Sequence, residues 1–262
     1  FWVGCAGSYD NRAQKVTVAF CKILNAVGVD FAILGNEEQC TGDPARRAGN
    51  EFVFQMLALQ NIETLNMYNV KKIVTACPHC FNTIKNEYPE LGGKYEVLHH
   101  TQFINDLIAD GRLVVEGGDF KGKRITFHDP CYLGRHNRIL DAPRADLASF
   151  GFDVNEMHRN KIDSFCCGAG EAQMWKEEET GKASVPVTRL QEAMVTGADQ
   201  LAVGCPFCMI MLNDASSQVE NELEIQDIAE LIEELYNGQK GIVFRLLPKD
   251  LAIEVFENLA RP

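Results

Sequence analysis

A chain of 262 residues, 46% of them hydrophobic, can bury the core of one large domain or of two ordinary ones. Its 37 acidic and 25 basic side chains leave a net charge of −12, which argues against nucleic acid or an anionic membrane as the main partner and leaves a basic protein open. No apolar run reaches the roughly 18–20 residues of a spanning helix, and no signal-peptide pattern is present, so no transmembrane segment is expected in this chain.

The chain starts at Phe1, already inside an apolar, strand-like run, which reads as a piece of a longer protein. The spacing predicts a short strand over Phe1–Gly4, then a helix through Val16, Phe20, Ile23 and Leu24. A second strand is expected at Asp30–Gly35, and a helix from about Pro44 to Met67 with Asp43 as its cap. Lys72–Ala76 and Tyr95–Leu98 read as further strands, the latter before a helix through Phe103 and Ile108. The same order then returns, with strands at Arg124–His128, Phe152–Met157, Leu201–Gly204 and Leu223–Ile225.

The cysteines show the same repetition. Cys5 and Cys40 lie 35 residues apart, as do Cys131 and Cys166. Gly42 and Gly168 keep the same offset, and the pairs Cys77-Pro78-His79-Cys80 and Cys205-Pro206-Phe207-Cys208 follow. The fold expected is therefore α/β, in two pseudo-symmetric repeats, each a small parallel sheet flanked by helices. The repeats span 1–122 and 123–240, with 241–262 as a C-terminal appendage of a strand and a short helix. Cys5, Cys77, Cys131 and Cys205 all fall just past a predicted strand, the end at which ligands collect in parallel sheets.

Nine of the ten cysteines fall into this pattern of CxxC and CC arrangements, which favours metal binding in a reducing cytoplasm over disulfides. The second set holds five: Cys131, Cys166, Cys167, Cys205 and Cys208. One tetrahedral zinc has no use for a fifth thiolate, whereas an iron–sulfur cluster can use it. The first set holds four, Cys5, Cys40, Cys77 and Cys80, with Thr41 where the second has Cys167. Four thiolates suit a 4Fe–4S cluster or a zinc ion, and an empty, degenerate site is the third option. Cys21, mid-helix, reads as core. His128 and Arg135 flank Cys131 and are read as lining the approach to the site or bracing its ligands. His79 is read as a neighbour of the ligands, Asp43–Arg47 as a helix cap with a solvated basic turn, and His136 and Arg138 as surface. Cleft walls shared by both sites are expected to include His128, Tyr132, Arg135 and Trp2.

The strings HDPCYLGRHN, SFCCGAG and GCPFC, and the twofold Cys…Cys-Cys-Gly…Cys-Pro-x-Cys pattern over residues 1 to about 235, resemble the cysteine-rich CCG domain of the heterodisulfide reductase catalytic subunit and related iron–sulfur oxidoreductases. QCTGDPARRAGNE is most similar to the branch linked to electron-transfer flavoprotein and quinone. The resemblance implies a noncubane 4Fe–4S cluster on the five-cysteine set and a 4Fe–4S cluster or zinc on the other. It further implies an electron-transfer module working between a flavoprotein and a quinone or disulfide acceptor. Implied partners are electron-transfer flavoprotein or another flavoprotein, and a membrane-bound or ferredoxin-like subunit or domain, which would hold the chain at the cytoplasmic face of a membrane. A heterodisulfide reductase-like enzyme and a zinc-stabilised scaffold are the alternatives.

Overall fold

A computed structural model of the chain describes residues 1–114, 120–170, 172–177, 181–220 and 223–235; the appendage expected at 241–262 lies outside them. Asp10 separates helix α1 (Gly4–Tyr9) from α2 (Asn11–Ala26), its carboxylate accepting from the amides of Arg12 and Ala13. One face of α2 buries Val16, Phe20, Ile23 and Leu24, as the periodicity predicts.

The helix expected over 44–67 is two helices, α3 (Asp43–Arg47) and α4 (Glu51–Met67). Gly49, at φ +85°, turns the chain between them, and Asn50 caps α4 by accepting from the Val53 amide. Gly42 holds the cap position before α3, so Asp43 is its first helical residue.

Strands β1 (Lys72–Thr75) and β2 (Glu96–His99) pair in parallel, joined through α5 (Pro78–Asn82), and α6 (His100–Ala109) follows directly. The expected strand at Phe1–Gly4 contributes one bridge, Trp2 to Thr75, and Asp30–Gly35 forms no ladder. In the second half the corresponding ladder runs through Arg124 and Ile125. An apolar groove of about 810 Å³ is lined by Phe1, Phe31, Val70 and Ile73.

The second half builds β3 (Arg124–Phe127), α7 (Ala142–Ser149), β4 (Asp153–Val154), α8 (Val185–Val195), β5 (Gln200–Val203), α9 (Pro206–Ser216) and β6 (Glu224–Asp227), with a helix at 228–235. Its all-parallel sheet has the order β4-β3-β5-β6. Some backbone bonds recur at equivalent positions in the two halves. Trp2 donates to the Val74 carbonyl at 2.9 Å, and His128 to Ala202 at 2.9 Å. The amide of His99, the last residue of β2, is capped by Gln102, and that of Asp227 by Glu230. A buried bond of 2.9 Å from His100 to Asp227 joins the two sheets.

Candidate metal centres

Each half brings its cysteines together at the carboxyl ends of its strands. Cys77 and Cys205 leave β1 and β5 and cap α5 and α9, whose first residues are Pro78 and Pro206. One turn on, Cys80 and Cys208 return to the same side. Cys5 lies in α1, and Cys131 opens a π-turn over Tyr132–His136. Cys40 and Cys166 sit in loops before Gly42 (φ +88°) and Gly168 (φ +92°). The amide of each glycine donates to the sulfur two residues back, at 3.5 and 3.2 Å. A side chain at Gly42 would strain that backbone and meet the Phe54 ring at 2.9 Å.

The first set makes Cys5–Cys40 and Cys77–Cys80 contacts. In the second, Cys166 touches both Cys131 and Cys167, Cys205 touches Cys208, and Cys167 Sγ lies 3.3 Å from Cys208 Sγ. Thr41 Oγ1, 4.0 Å from Cys80 Sγ, takes the place of the Cys167 sulfur in the first half. All nine expected cysteines thus fall into the two expected groups. Cys21, expected in the core, is half-buried on α2.

These sulfurs share protons unevenly. Hydrogen bonds from Cys131 and Cys167 hold the Cys166 thiol far below its ordinary value, and the same contacts push Cys131 and Cys167 up. Burial raises Cys205, but Cys208 and His79 outweigh it and leave its pKa at about 5. Cys40, bonded to Cys5, falls to about 7 despite burial. Five clustered sulfurs, three of them buried, cannot all ionise side by side unless cations lie among them. That donor set fits a polynuclear iron–sulfur centre.

Two imidazoles reach the second set, one from each half. His128 is buried, and its Nδ1 accepts from Arg189 Nε at 2.9 Å. Burial and the Arg189 charge lower its pKa to about 3, so the ring is neutral and its proton sits on Nε2. With Cys167 and Cys208, His128 presents atoms within 4.8 Å of one another. His79 comes across from the first half. Its Nδ1 meets Asp43 Oδ2 at 3.0 Å, and its other nitrogen faces Cys205. Burial works against its positive charge, yet Asp43 and Cys205 together raise its pKa well above the ordinary value. Trp2 is the counterpart of His128 in the first half. It is buried in one cluster with Cys77 and Cys80, and its indole N–H has no partner among the described residues. An unpaired buried donor beside four thiols suits an acceptor such as sulfide.

Among the described residues the two sites share no cleft. His79 stacks on Tyr132 at 4.3 Å and meets the Phe207 edge at 5.1 Å, so rings fill the space between the CxxC turns. A cavity of about 760 Å³ instead opens on Cys131 and Cys166 alone, with Tyr132, Arg135, Met174 and Met211 in its walls. Arg135 is exposed there, whereas His128 and Trp2 are too deep to line it. The basic turn of α3 is not free in solvent either: Arg46 and Arg47 both bind Glu87, and Arg47 also binds Asp43. His136 is exposed but stacks on Tyr132 at 4.5 Å.

Several bracing residues escape the sequence pattern. Asp129 takes a two-pronged bond from Arg144 at 2.8 and 2.9 Å and accepts from the Lys161 amide, which fixes the loop leading to Cys166. Glu38 does this for Cys5, accepting from the Val3 and Gly4 amides. Asn61 and Arg189 occupy the same place on α4 and α8: Asn61 holds the Cys40 carbonyl, and Arg189 holds His128. The string HDPC carried a signal for Asp129; nothing in the sequence marked Asn61.

Residues 1–85 and 125–213 match the family model described as "Cysteine-rich domain", CCG. The chain is 46% identical over 235 residues to the probable iron–sulfur-binding oxidoreductase FadF of Bacillus subtilis, covering 88% of this chain and 33% of that protein. It is 41% identical to the EtfAB:quinone oxidoreductase of Syntrophomonas wolfei, with the same shares covered. To one of the polypeptides of the dihydromethanophenazine:CoB–CoM heterodisulfide reductase of Methanosarcina barkeri it is 36% identical, covering 89% of this chain and 58% of that polypeptide. The chain thus spans about a third of the first two relatives and over half of the third. With both copies of its motif matched, the chain belongs to the family of the cysteine-rich CCG domain.

Proposed function

We propose that this chain is the iron–sulfur electron-transfer part of an oxidoreductase, working between a flavoprotein and a quinone or disulfide acceptor. The observation that carries the reading is the five-sulfur group Cys131, Cys166, Cys167, Cys205 and Cys208, drawn from three strand ends and faced by two imidazoles. That set would hold a noncubane 4Fe–4S cluster, and Cys5, Cys40, Cys77 and Cys80 a 4Fe–4S cluster or zinc. A bound cluster supplies one-electron storage; the protein supplies ligands, N–H donors and exclusion of water from Cys205, Cys208 and Cys167. The names of the relatives support a flavoprotein such as EtfAB as one partner and a membrane-anchored, ferredoxin-like domain as another. Among the described residues no helix is long and apolar enough to cross a membrane.

The cavity on Cys131 and Cys166 favours a second reading, reduction of a small disulfide at the second centre. In that reaction two electrons and two protons would convert the disulfide to two thiols, with a reduced flavoprotein as the electron source. Protein purified without oxygen and analysed for iron, sulfide and zinc tests both: iron with sulfide is expected, and zinc alone would sink them. Oxidation of the reduced protein by disulfides, against exchange with flavoprotein and quinone, then separates the two.

A further inference from the structure

His79 belongs by sequence to the first cysteine set and by contact to the second. It lies between Cys77 and Cys80, yet its ring reaches across the interface to Cys205. The ring has little freedom to do otherwise. Asp43 grips Nδ1 at 3.0 Å, Tyr132 covers one face and the Phe207 edge abuts it, leaving the residue 6% exposed. Asp43 is itself held by Arg47. The counterpart of His79 in the second half is Phe207, which has no N–H to give.

We propose that His79, oriented by Asp43, raises the reduction potential of the second centre by donating its free ring N–H to Cys205, so that the first half forms part of the second half's site. The inference rests on the iron–sulfur reading above. An N–H bond to a ligand sulfur draws off negative charge and favours the reduced, more negative state. Donation across the interface from His79 acts on the second centre rather than on the first. It also gives the four-cysteine half a task that Thr41 does not impair.

Redox titration of the anaerobically purified, iron-loaded chain, followed by electron paramagnetic resonance, tests this, with a Cys80→Ser variant to assign the first centre's signal. His79→Phe, which copies the second half, is expected to lower the second centre's potential more than the first's. Asp43→Asn keeps the ring but loosens its aim, and a smaller shift in the same direction is expected. His79→Gln retains an N–H and is expected to restore most of the potential. If His79→Phe fails to hold iron, Asp43→Asn and His79→Gln decide between them. Unmoved potentials in His79→Phe and Asp43→Asn would overturn the inference while leaving the iron–sulfur reading intact, as would loss of the second centre's iron in both Asp43→Asn and His79→Gln. Wild-type chain without iron and sulfide would overturn both.

Discussion

The two halves place the same elements at the same strand ends but solve the polar interior differently. Around the first set the buried partners are an indole N–H, a threonine hydroxyl and the Asn61 amide. Around the second they are an imidazole, a thiol and the fully buried guanidinium of Arg189. Position for position these are Trp2 and His128, Thr41 and Cys167, Asn61 and Arg189. The scaffold of a strand, a turn and a capped helix is retained in both, while the groups facing the sulfurs have diverged. A shared backbone therefore does not imply a shared centre.

The widest test removes what both halves have in common. Ligands drawn from segments as far apart as Cys131 and Cys208 tie metal binding to folding. Chelation under reducing conditions is expected to lower the melting temperature by on the order of 10 °C or more, at about 2–4 °C per kcal/mol for a chain of this size. Calorimetry of the apo and loaded forms measures it, and coincident transitions would mean that neither half relies on metal to fold.

Next in size is the pair Arg189 and Asn61. Arg189→Leu leaves His128 without its donor and Glu192 without a cation 2.9 Å away. Removing one partner of such a buried network costs about 3–5 kcal/mol. Asn61→Ala leaves the Cys40 carbonyl and the Tyr88 hydroxyl short of one bond, at about 1–3 kcal/mol. Denaturant unfolding of both variants is expected to rank Arg189→Leu as the more damaging. The opposite order would mean that Arg189 gains little from its partners for the cost of its burial.

This difference also marks how far the sequence could be read. Both cysteine sets, the parallel sheets and the repeat register followed from spacing, because ligand geometry and strand ends demand fixed intervals. The break at Gly49 lies inside a helical pattern, where a single glycine is compatible with a continuous helix and does not by itself mark an end. The missing ladder at Asp30–Gly35 was not legible, since Val29–Leu34 is as strand-like as any segment here; pairing depends on a neighbour, not on propensity. Contacts across the interface, such as His79 to Cys205, lie in tertiary packing that no repeat spacing encodes. The change from His79 to Phe207 between two otherwise matched CxxC turns was the only trace they left.

Asp146 offers a smaller contrast, readable in pH. The carbonyls of Leu24 and Leu147 accept the same bond after α2 and α7, which aligns buried Asp146 with buried Ile23. Burial drives the Asp146 carboxyl well above its ordinary value, opposed by Asn105 and assisted by Asp106. A raised folded pKa means that the proton is bound more tightly in the folded state. Its stabilising contribution is thus complete below about pH 4, the unfolded value, and is lost as pH rises towards the folded one. Asp146→Asn removes that dependence. Melting temperatures taken from pH 4 to 8 are expected to fall less steeply with rising pH in the variant than in wild type, and parallel curves would mean that the carboxyl is not protonated in the fold.

The smallest expected change in stability comes from the exchange that bears most directly on the two centres. Thr41 and Cys167 are both buried and differ by oxygen for sulfur and by one methyl group. Each points at the second cysteine of its CxxC turn, at 4.0 Å in one half and 3.3 Å in the other. Thr41→Cys therefore adds a fifth sulfur to the first set with little change of packing volume, at an expected cost of less than about 1.5 kcal/mol, and Cys167→Thr removes one from the second. The spectra, not the stability, carry the comparison. If sulfur count decides the type of centre, Thr41→Cys should move the first centre's paramagnetic signal towards that of the second, and Cys167→Thr should do the reverse. If each signal keeps its character, the type is set by the groups that remain different after the exchange, with Trp2 facing one set and His128 and His79 facing the other. Measuring both variants distinguishes these outcomes, because a fifth sulfur that binds without altering the signal would place the control in the N–H donors.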